Sequence, residues 1–247
     1  MKYRNLLILI IGACLLYTCD SETTADFPTQ IIQDSRVSDS IFEILLDDAK
    51  LICINYYTNE EMEELDIIDI QEIHIAPIVA ALQMVYIDSI SVPALEIKKY
   101  DVHSLCRDHL YNSYIWIDTL SMYPVNWHQY GFSNYLELDQ IIDRYDLKLD
   151  SIEKGSYLVH SLDGINQLAL ANQLEKFPFI LGSEALNCAG DGSQIEISSL
   201  SSDYIHLIYS YGWGDCYSGC INRHYWELGI HGSGLIEILA ESGKDLP

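Results

Sequence analysis

Positive charge is scarce in this sequence. Its 247 residues include 13 Lys and Arg but 37 Asp and Glu, which gives a formal net charge of −24 at pH 7 with His neutral. Binding to nucleic acid needs a basic face against the phosphates, so this balance argues against a nucleic-acid partner. It argues equally against direct adsorption to an anionic membrane surface. A charge of this size favours solubility and attracts cations or basic partners.

Familiar catalytic motifs are missing as well. The sequence contains no Gly-x-Ser-x-Gly elbow, no His-Glu-x-x-His motif and no glycine-rich phosphate loop. Its many carboxylates single out no glycosidase pair. An acidic stretch over 59–72 lacks the aspartate and glycine spacing of a calcium loop and predicts a solvated loop. The sequence therefore predicts no catalytic residue, no metal and no cofactor.

The N-terminal apolar run is too short to cross a membrane. It extends over Leu6–Leu16, eleven residues, whereas a span needs about 20. It follows Lys2 and Arg4, as the apolar core of a secretory signal does. Cys19 comes next, after a Leu-Tyr-Thr tripeptide that matches a relaxed lipobox, in which the cysteine sulfur receives the lipid. We therefore predict a lipoprotein signal peptide over 1–18 and a lipidated Cys19; a cleaved secretory signal with an incidental cysteine is the alternative.

The segment that begins at Cys19 is polar and acidic. Residues 19–36 are rich in Ser, Thr and Asp, a composition typical of a flexible tether between a membrane and a folded body. Acidic residues directly after a lipidated cysteine resemble the surface-export signal of Bacteroidetes-type lipoproteins. That resemblance implies the outer membrane as the location, with exposure at the cell surface and the lipid as the membrane attachment.

The remaining chain predicts an α+β fold in three parts. Residues 37–110 show helical spacing of apolar residues, with a capping box at Ser40 and a second helix that begins at Pro77. Residues 111–190 alternate strand and helix patterns in the order of a ferredoxin-like split βαβ unit. Residues 191–247 predict an antiparallel β-meander. The middle part comprises a strand over 113–119, a helix capped by Asn134, strands over 147–150 and 157–161, a helix capped by Asn166, and a strand over 179–186.

Five cysteines follow the proposed lipidation site, an odd number for a protein outside the cytoplasm, where thiols tend to pair. Cys216 and Cys220 are close in sequence and form the predicted disulfide. A Cys53–Cys106 bridge is an alternative without support from spacing. Cys53 lies near the apolar face of the first helix and is more simply a buried thiol. The pairing of Cys53, Cys106 and Cys188 stays open.

The densest motif runs from Tyr211 to Leu228 and admits three interpretations. Cys216, Cys220 and His224 could bind a metal, but they supply only three ligands in a compartment where thiols oxidise. A redox pair is usually Cys-x-x-Cys at the start of a helix, and this spacing differs. A structural disulfide across a hairpin is favoured, with glycines at the tight turns and with Asp215 or Arg223 paired locally. The candidate functional patch comprises Trp213, Asp215, Arg223, His224 and Trp226.

The same motif resembles one in a family of uncharacterised exported bacterial lipoproteins of the Bacteroidetes type. Their motif, GWGDCPxGCIxxHxW, follows a Gly-Asp-Gly turn and precedes a final strand pair. Residues 190–192 supply the turn here, and Tyr217 replaces the proline. The resemblance implies an exported, lipid-anchored protein and brings no activity with it. The matching residues are Gly212, Trp213, Gly214, Asp215, Cys216, Gly219, Cys220, Ile221, His224 and Trp226.

Residues 157–187 resemble the second half of a subtilisin-type propeptide. Such domains hold a strand, a helix with a Leu-Ala-x-x-Leu core, a proline before the last strand and a glutamate near its end. Phe179 stands where the propeptides have a glycine. The resemblance implies a ferredoxin-like module that binds or inhibits a peptidase. The matching residues are Leu170, Ala171, Leu174, Pro178 and Glu184.

Together these patterns predict a membrane-anchored envelope lipoprotein that acts as a non-enzymatic binding or interaction module. A propeptide-like peptidase inhibitor is the first alternative, with a peptidase as its protein partner. An enzyme that uses Asp215 and His224 is the second alternative, because His224 is the best catalytic candidate among eight scattered histidines.

Overall fold

The computed structural model describes residues 25–59, 67–186 and 190–247. Three predicted features lie outside these residues: the signal peptide, Cys19 and Cys188. Within the described residues the fold is α+β, with six α-helices and two antiparallel four-stranded sheets. The predicted fold class is confirmed.

Three helices make up the N-terminal part: α1 (Asp39–Asn59), α2 (Glu72–Ile87) and α3 (Val92–Lys99). A short 3-10 helix follows at Arg107–Leu110. The prediction that the second helix begins at Pro77 is wrong, because Pro77 lies inside α2. The helix begins one turn earlier, at Glu72. The Glu72 carboxylate accepts the Ile31 N–H at 2.6 Å, a contact that the spacing of apolar residues cannot predict. Helix α3 has no counterpart in the predicted helical pair.

The middle part forms the first sheet, and its strands and helices alternate as predicted. Strands β2, β3, β1 and β4 lie side by side in that order, and every neighbouring pair is antiparallel. This is the strand order of a ferredoxin-like split βαβ unit, which confirms the prediction. The elements are β1 (Asn112–Ile117), α4 (Met122–Tyr130), α5 (Leu136–Tyr145), β2 (Lys148–Glu153), β3 (Ser156–His160), α6 (Gln167–Leu174) and β4 (Ile180–Ala185).

The two predicted helix caps of the middle part have different outcomes. Asn166 caps α6 as predicted, since its side chain accepts the Ala169 N–H at 3.2 Å. Asn134 does not cap α5, because it adopts a left-handed conformation with φ of 65° one residue before the helix entry. The Ser133 hydroxyl organises that entry instead and donates to the Asp139 carboxylate at 2.7 Å. Helix α4 was not predicted.

The C-terminal part forms the second sheet, a meander of β5 (Gln194–Leu200), β6 (Tyr204–Trp213), β7 (Asn222–His231) and β8 (Ile236–Gly243). This confirms the predicted antiparallel arrangement. Alternate side chains of β6 and β7 point inward and form a core with α1 and α2. The fully buried ones are Ile205, Leu207, Trp226, Leu228 and Ile230.

Helix α2 is rich in apolar residues along its length because it lies between α1 and the second sheet. Eight of its residues are buried, from Ile75 to Val85. Within the described residues no single helix is long and apolar enough to cross a membrane. Helices α2 and α3 are long and apolar enough only when they are taken together, and the pair is bent by 96°.

The described part of the predicted tether, residues 25–36, is packed against the body. Phe27 is buried in the core, and its N–H donates to the Ser202 carbonyl at 2.7 Å. The Gln83 side chain of α2 accepts the Asp34 N–H at 2.7 Å and donates to the Ile32 carbonyl at 2.9 Å. The prediction of a flexible tether is therefore wrong for these residues. Their composition is mostly polar, but the segment also contains apolar side chains such as Phe27 that pack into the core.

Candidate functional site

The predicted disulfide closes the loop between β6 and β7, residues 214–221. Cys216 and Cys220 are bonded to each other, with their Cα atoms 3.9 Å apart. Bonded cysteines offer no thiolates, so the metal interpretation of Cys216, Cys220 and His224 is wrong for this state. The pair lies between two strands and lacks the helix N-terminus that activates redox cysteines. The structural interpretation is the one that the geometry supports.

Gly212 leaves the space that this disulfide occupies. A Cβ atom at Gly212 would lie 2.5 Å from the Cys220 sulfur and 3.0 Å from the Gly192 carbonyl oxygen. The first distance is shorter than real Cβ contacts and the second is at the tight end of their range, so a larger residue would have to displace the bridge. Gly214 follows with φ of +102°, a conformation that side-chain-bearing residues rarely adopt.

Asp191 holds the loop from the neighbouring turn. One carboxylate oxygen accepts the Cys220 N–H at 3.0 Å. The other accepts the Gly192 N–H at 2.8 Å and the Arg223 guanidinium. The Asp191 N–H donates to the Cys216 carbonyl at 2.7 Å. A single residue therefore bonds to both ends of the disulfide bridge.

Arg223 sets the charge state of this contact. Its guanidinium, followed by the Cys220 N–H, lowers the pKa of Asp191 to about 2. Arg223 also donates to the Ser210 hydroxyl of β6 at 2.7 Å. The prediction that Arg223 pairs locally is wrong, because its partner lies 32 residues earlier. The Gly-Asp-Gly turn was the available signal, although its carboxylate was not recognised from the sequence as a functional group.

The structure divides the five-residue candidate patch between two faces and the loop. Strand pairing places Trp213, His224 and Trp226 on the inner face of the second sheet. Arg223 lies on the outer face, and Asp215 is exposed in the loop. The five residues of the candidate patch are therefore close in sequence but do not form one surface.

His224 lies at the edge of the inner face and is almost fully buried. Its Nδ1 is 2.8 Å from the Lys244 carbonyl oxygen, and its Nε2 is 3.3 Å from a Glu241 carboxylate oxygen. The Trp226 ring lies 4.7 Å away, and its indole N–H donates to Glu96 of α3 at 3.0 Å. The polar contacts of His224 in the described part of the chain do not include Asp215. The structure therefore does not bring together the two residues of the enzyme alternative.

Aromatic side chains continue the inner face toward the loop. The Tyr211 ring lies 4.9 Å from Tyr100 and 5.5 Å from Trp213, and the planes of Tyr211 and Trp213 are 20° apart. On the loop itself Tyr217 is 85% exposed and Ile221 is 73% exposed. Two large side chains therefore face solvent on a backbone that the disulfide and Asp191 hold in place.

A second polar cluster was not predicted from the sequence. Asp48 of α1 is fully buried and lies 2.6 Å from Nδ1 of His103, while its other oxygen accepts the Ser104 N–H at 2.9 Å. Burial lowers the pKa of His103, but the hydrogen bond and charge of Asp48, aided by Asp101 and opposed by Arg107, raise it above the ordinary value. This pair joins α1 to the segment after α3.

The remaining cysteines of the described chain resolve one open alternative. Cys53 is a free thiol and is buried, and burial raises its pKa to about 12. Cys106 is disulfide-bonded, and Cys53 is not its partner. The Cys53–Cys106 alternative is therefore wrong, and the prediction of a buried Cys53 is confirmed.

No protein-family model, curated protein or solved structure matches this chain. The resemblances to exported lipoproteins and to subtilisin-type propeptides therefore stay predictions from the sequence.

Proposed function

We propose that this chain is a lipid-anchored envelope protein that binds a partner, without catalysis, through the β6–β7 loop. The observation that carries the proposal is the exposure of Tyr217 and Ile221 on a loop fixed by both the disulfide and Asp191. A loop already held in one conformation loses little entropy on binding. Aromatic side chains are also the commonest energetic anchors of protein interfaces.

The position of the N-terminal segment supports presentation of this loop away from the membrane. The segment meets the body at the turn between β5 and β6, where Phe27 bonds to Ser202. The β6–β7 loop lies at the opposite end of β6, whose ten residues span about 30 Å. With Cys19 lipidated, the chain from Cys19 to Phe27 could extend at most about 30 Å.

The anchor itself is tested by mass spectrometry of the mature protein. A lipidated N-terminal Cys19 supports this part of the proposal. An unmodified Cys19, or cleavage elsewhere, would remove the envelope anchor and leave the binding argument standing.

The binding role is tested with loop variants of the lipidated protein in its native envelope. Tyr217→Ala combined with Ile221→Ser should abolish recovery of a stoichiometric partner while the thermal melt stays unchanged. Leu235→Ala is the matched control, because Leu235 is 54% exposed at the opposite end of the second sheet. Equal recovery with the loop variant and the wild type would contradict the proposal.

A peptidase inhibitor is the second candidate, and the open face of the first sheet favours it. That face carries Tyr114 and Trp116 of β1 and Leu158 of β3. Helix α6 packs against the other face of the sheet. Trp116 lies over Gly182, where a Cβ would come within 3.3 Å of its ring. Inhibition of a subtilisin-type protease at micromolar concentration, weakened by Trp116→Ala, would support it. Absence of inhibition across several such proteases would exclude it.

A further inference from the structure

We infer that Glu96, His224 and Glu241 form a binding site for a divalent transition-metal ion, with zinc as the metal that fits best. The three residues come from α3, β7 and β8. One ligand atom from each lies within 4.8 Å of the others. The sequence could not assemble this set, because Glu96 is separated from the other two by more than a hundred residues.

The imidazole of His224 is oriented as a metal ligand. Its Nδ1 faces the Lys244 carbonyl oxygen at 2.8 Å, which only an N–H at Nδ1 can satisfy. In the neutral ring, Nε2 then carries a lone pair. His224 is 6% exposed, and Nε2 has no hydrogen bond of acceptable geometry among the described residues. A buried acceptor nitrogen of this kind calls for a hydrogen-bond donor or a metal ion as its partner.

The nearest atom to that nitrogen is itself an acceptor. The Glu241 carboxylate oxygen lies 3.3 Å from Nε2, so with a neutral ring two lone pairs face each other unless a proton or a metal ion lies between them. Ligands bonded to zinc at about 2.0–2.1 Å in a tetrahedron lie about 3.3 Å apart. The observed separation therefore matches an edge of a zinc coordination tetrahedron.

Surrounding groups hold the ligands as the outer partners of metal sites usually do. The Trp226 indole N–H donates to one oxygen of Glu96 at 3.0 Å, and the other oxygen accepts no hydrogen bond from the described residues. Gly243 adopts φ of +103°, and a Cβ there would lie 2.3 Å from the Arg223 carbonyl oxygen. Glycine therefore lets the chain turn so that the Lys244 carbonyl reaches the His224 ring.

Charge and ligand type both favour a transition metal. Within the described residues neither Glu96 nor Glu241 forms an ion pair with Lys or Arg. With a neutral His224 the cluster carries two negative charges, and Lys99 acts on Glu96 electrostatically without forming an ion-pair contact. One imidazole nitrogen with two carboxylates suits zinc, whereas calcium prefers six to eight oxygen ligands. Three protein ligands leave a fourth position for water or for a group from a partner.

The test is zinc binding to the full-length protein after treatment with a chelator, measured by isothermal titration calorimetry. We expect one zinc ion per chain. Glu241→Gln and Glu96→Gln should each weaken the affinity at least about tenfold. Glu241 is half-exposed, so its variant should fold even if His224→Gln does not. Saturating zinc should also raise the melting temperature of the wild type but not of Glu241→Gln.

A second histidine–glutamate pair on the same two strands is the matched control. His231 and Glu237 lie 3.4 Å apart across β7 and β8 and belong to no three-residue cluster in the described chain. His231→Gln should leave zinc affinity unchanged. The proposal is overturned if the wild type shows no saturable zinc binding, if Glu241→Gln binds as well as the wild type, or if His231→Gln weakens binding equally.

Discussion

Two aspartates make polar contacts on which much of the local structure depends. Asp191 bonds to both ends of the disulfide-closed loop, and Asp48 lies fully buried against His103. Neither contact could be predicted from the sequence, since their side-chain partners lie 32 and 55 residues away along the chain. Hydrophobic periodicity locates elements, but it says nothing about which distant polar side chains meet.

Replacing Asp191 tests the contact that fixes the loop. Asp191→Asn keeps the shape but removes the charge that Arg223 and the Cys220 N–H recognise, so we expect a loss of about 1–2 kcal/mol in the free energy of unfolding. Asp215→Asn, on the same loop and exposed, is the control and should change it by less than about 0.5 kcal/mol. Urea unfolding of the three proteins gives the comparison.

The same contact has a defined pH dependence. Because Arg223 lowers the folded-state pKa of Asp191 to about 2, its contribution is present above the ordinary value of about 4 and is lost as the pH falls toward 2. The stability difference between wild type and Asp191→Asn should therefore shrink across that interval. A difference that stays constant from pH 6 to pH 2 would contradict this account.

The buried Asp48–His103 pair has the opposite pH dependence. The pKa of His103 is raised in the folded state. The contribution of the pair to the free energy of unfolding is therefore complete below the ordinary pKa of about 6.5, and it is lost as the pH rises through the raised pKa. Asp48→Asn should remove this dependence and cost about 3 kcal/mol in the free energy of unfolding. Asp150→Asn, which breaks the exposed pair with His160 at 3.0 Å, should cost less than about 1 kcal/mol.

Elements with strong alternation and clear caps were predictable, and those fixed by tertiary contacts were not. The strands of both sheets and the Asn166 cap follow from local pattern. The sequence predicts a helix start at Pro77, although the helix begins at Glu72. It also predicts a cap at Asn134, although the Ser133 hydroxyl organises that turn. At α2 the Glu72 carboxylate contacts Ile31, which lies 41 residues earlier, whereas the contact at the α5 entry is local and joins Ser133 to Asp139.

At the element scale, the β6–β7 hairpin should tolerate no side chain at Gly212. Gly212→Ala would place a Cβ 2.5 Å from the Cys220 sulfur, and we expect a loss of about 1–3 kcal/mol in the free energy of unfolding. A double-mutant cycle with Cys216→Ala and Cys220→Ala separates the cause. The glycine penalty should fall in the background that lacks this disulfide, and an unchanged penalty would place the clash elsewhere.

At the largest scale, the described residues form two hydrophobic cores, and the two ends of the second sheet have different roles. One core joins α1, α2 and α3 to the second sheet, and the other lies between the first sheet and its helices. The N-terminal segment reaches the second sheet at the β5–β6 turn, whereas the disulfide-closed loop lies at the other end. The sequence predicts both sheets and the disulfide-closed loop, but not the core that the N-terminal helices share with the second sheet. It also places the start of the folded body about ten residues too late, because it assigns Phe27 to a tether.

Site-directed photo-crosslinking can show whether the β6–β7 loop contacts a partner in the native envelope. A photoreactive residue replaces Tyr217 in one version of the lipidated protein and Leu235 in another, and each is irradiated in its native envelope. A discrete adduct formed from position 217 and absent from position 235 is the predicted result. No adduct from position 217, or the same adduct from both positions, would contradict a binding role for the β6–β7 loop.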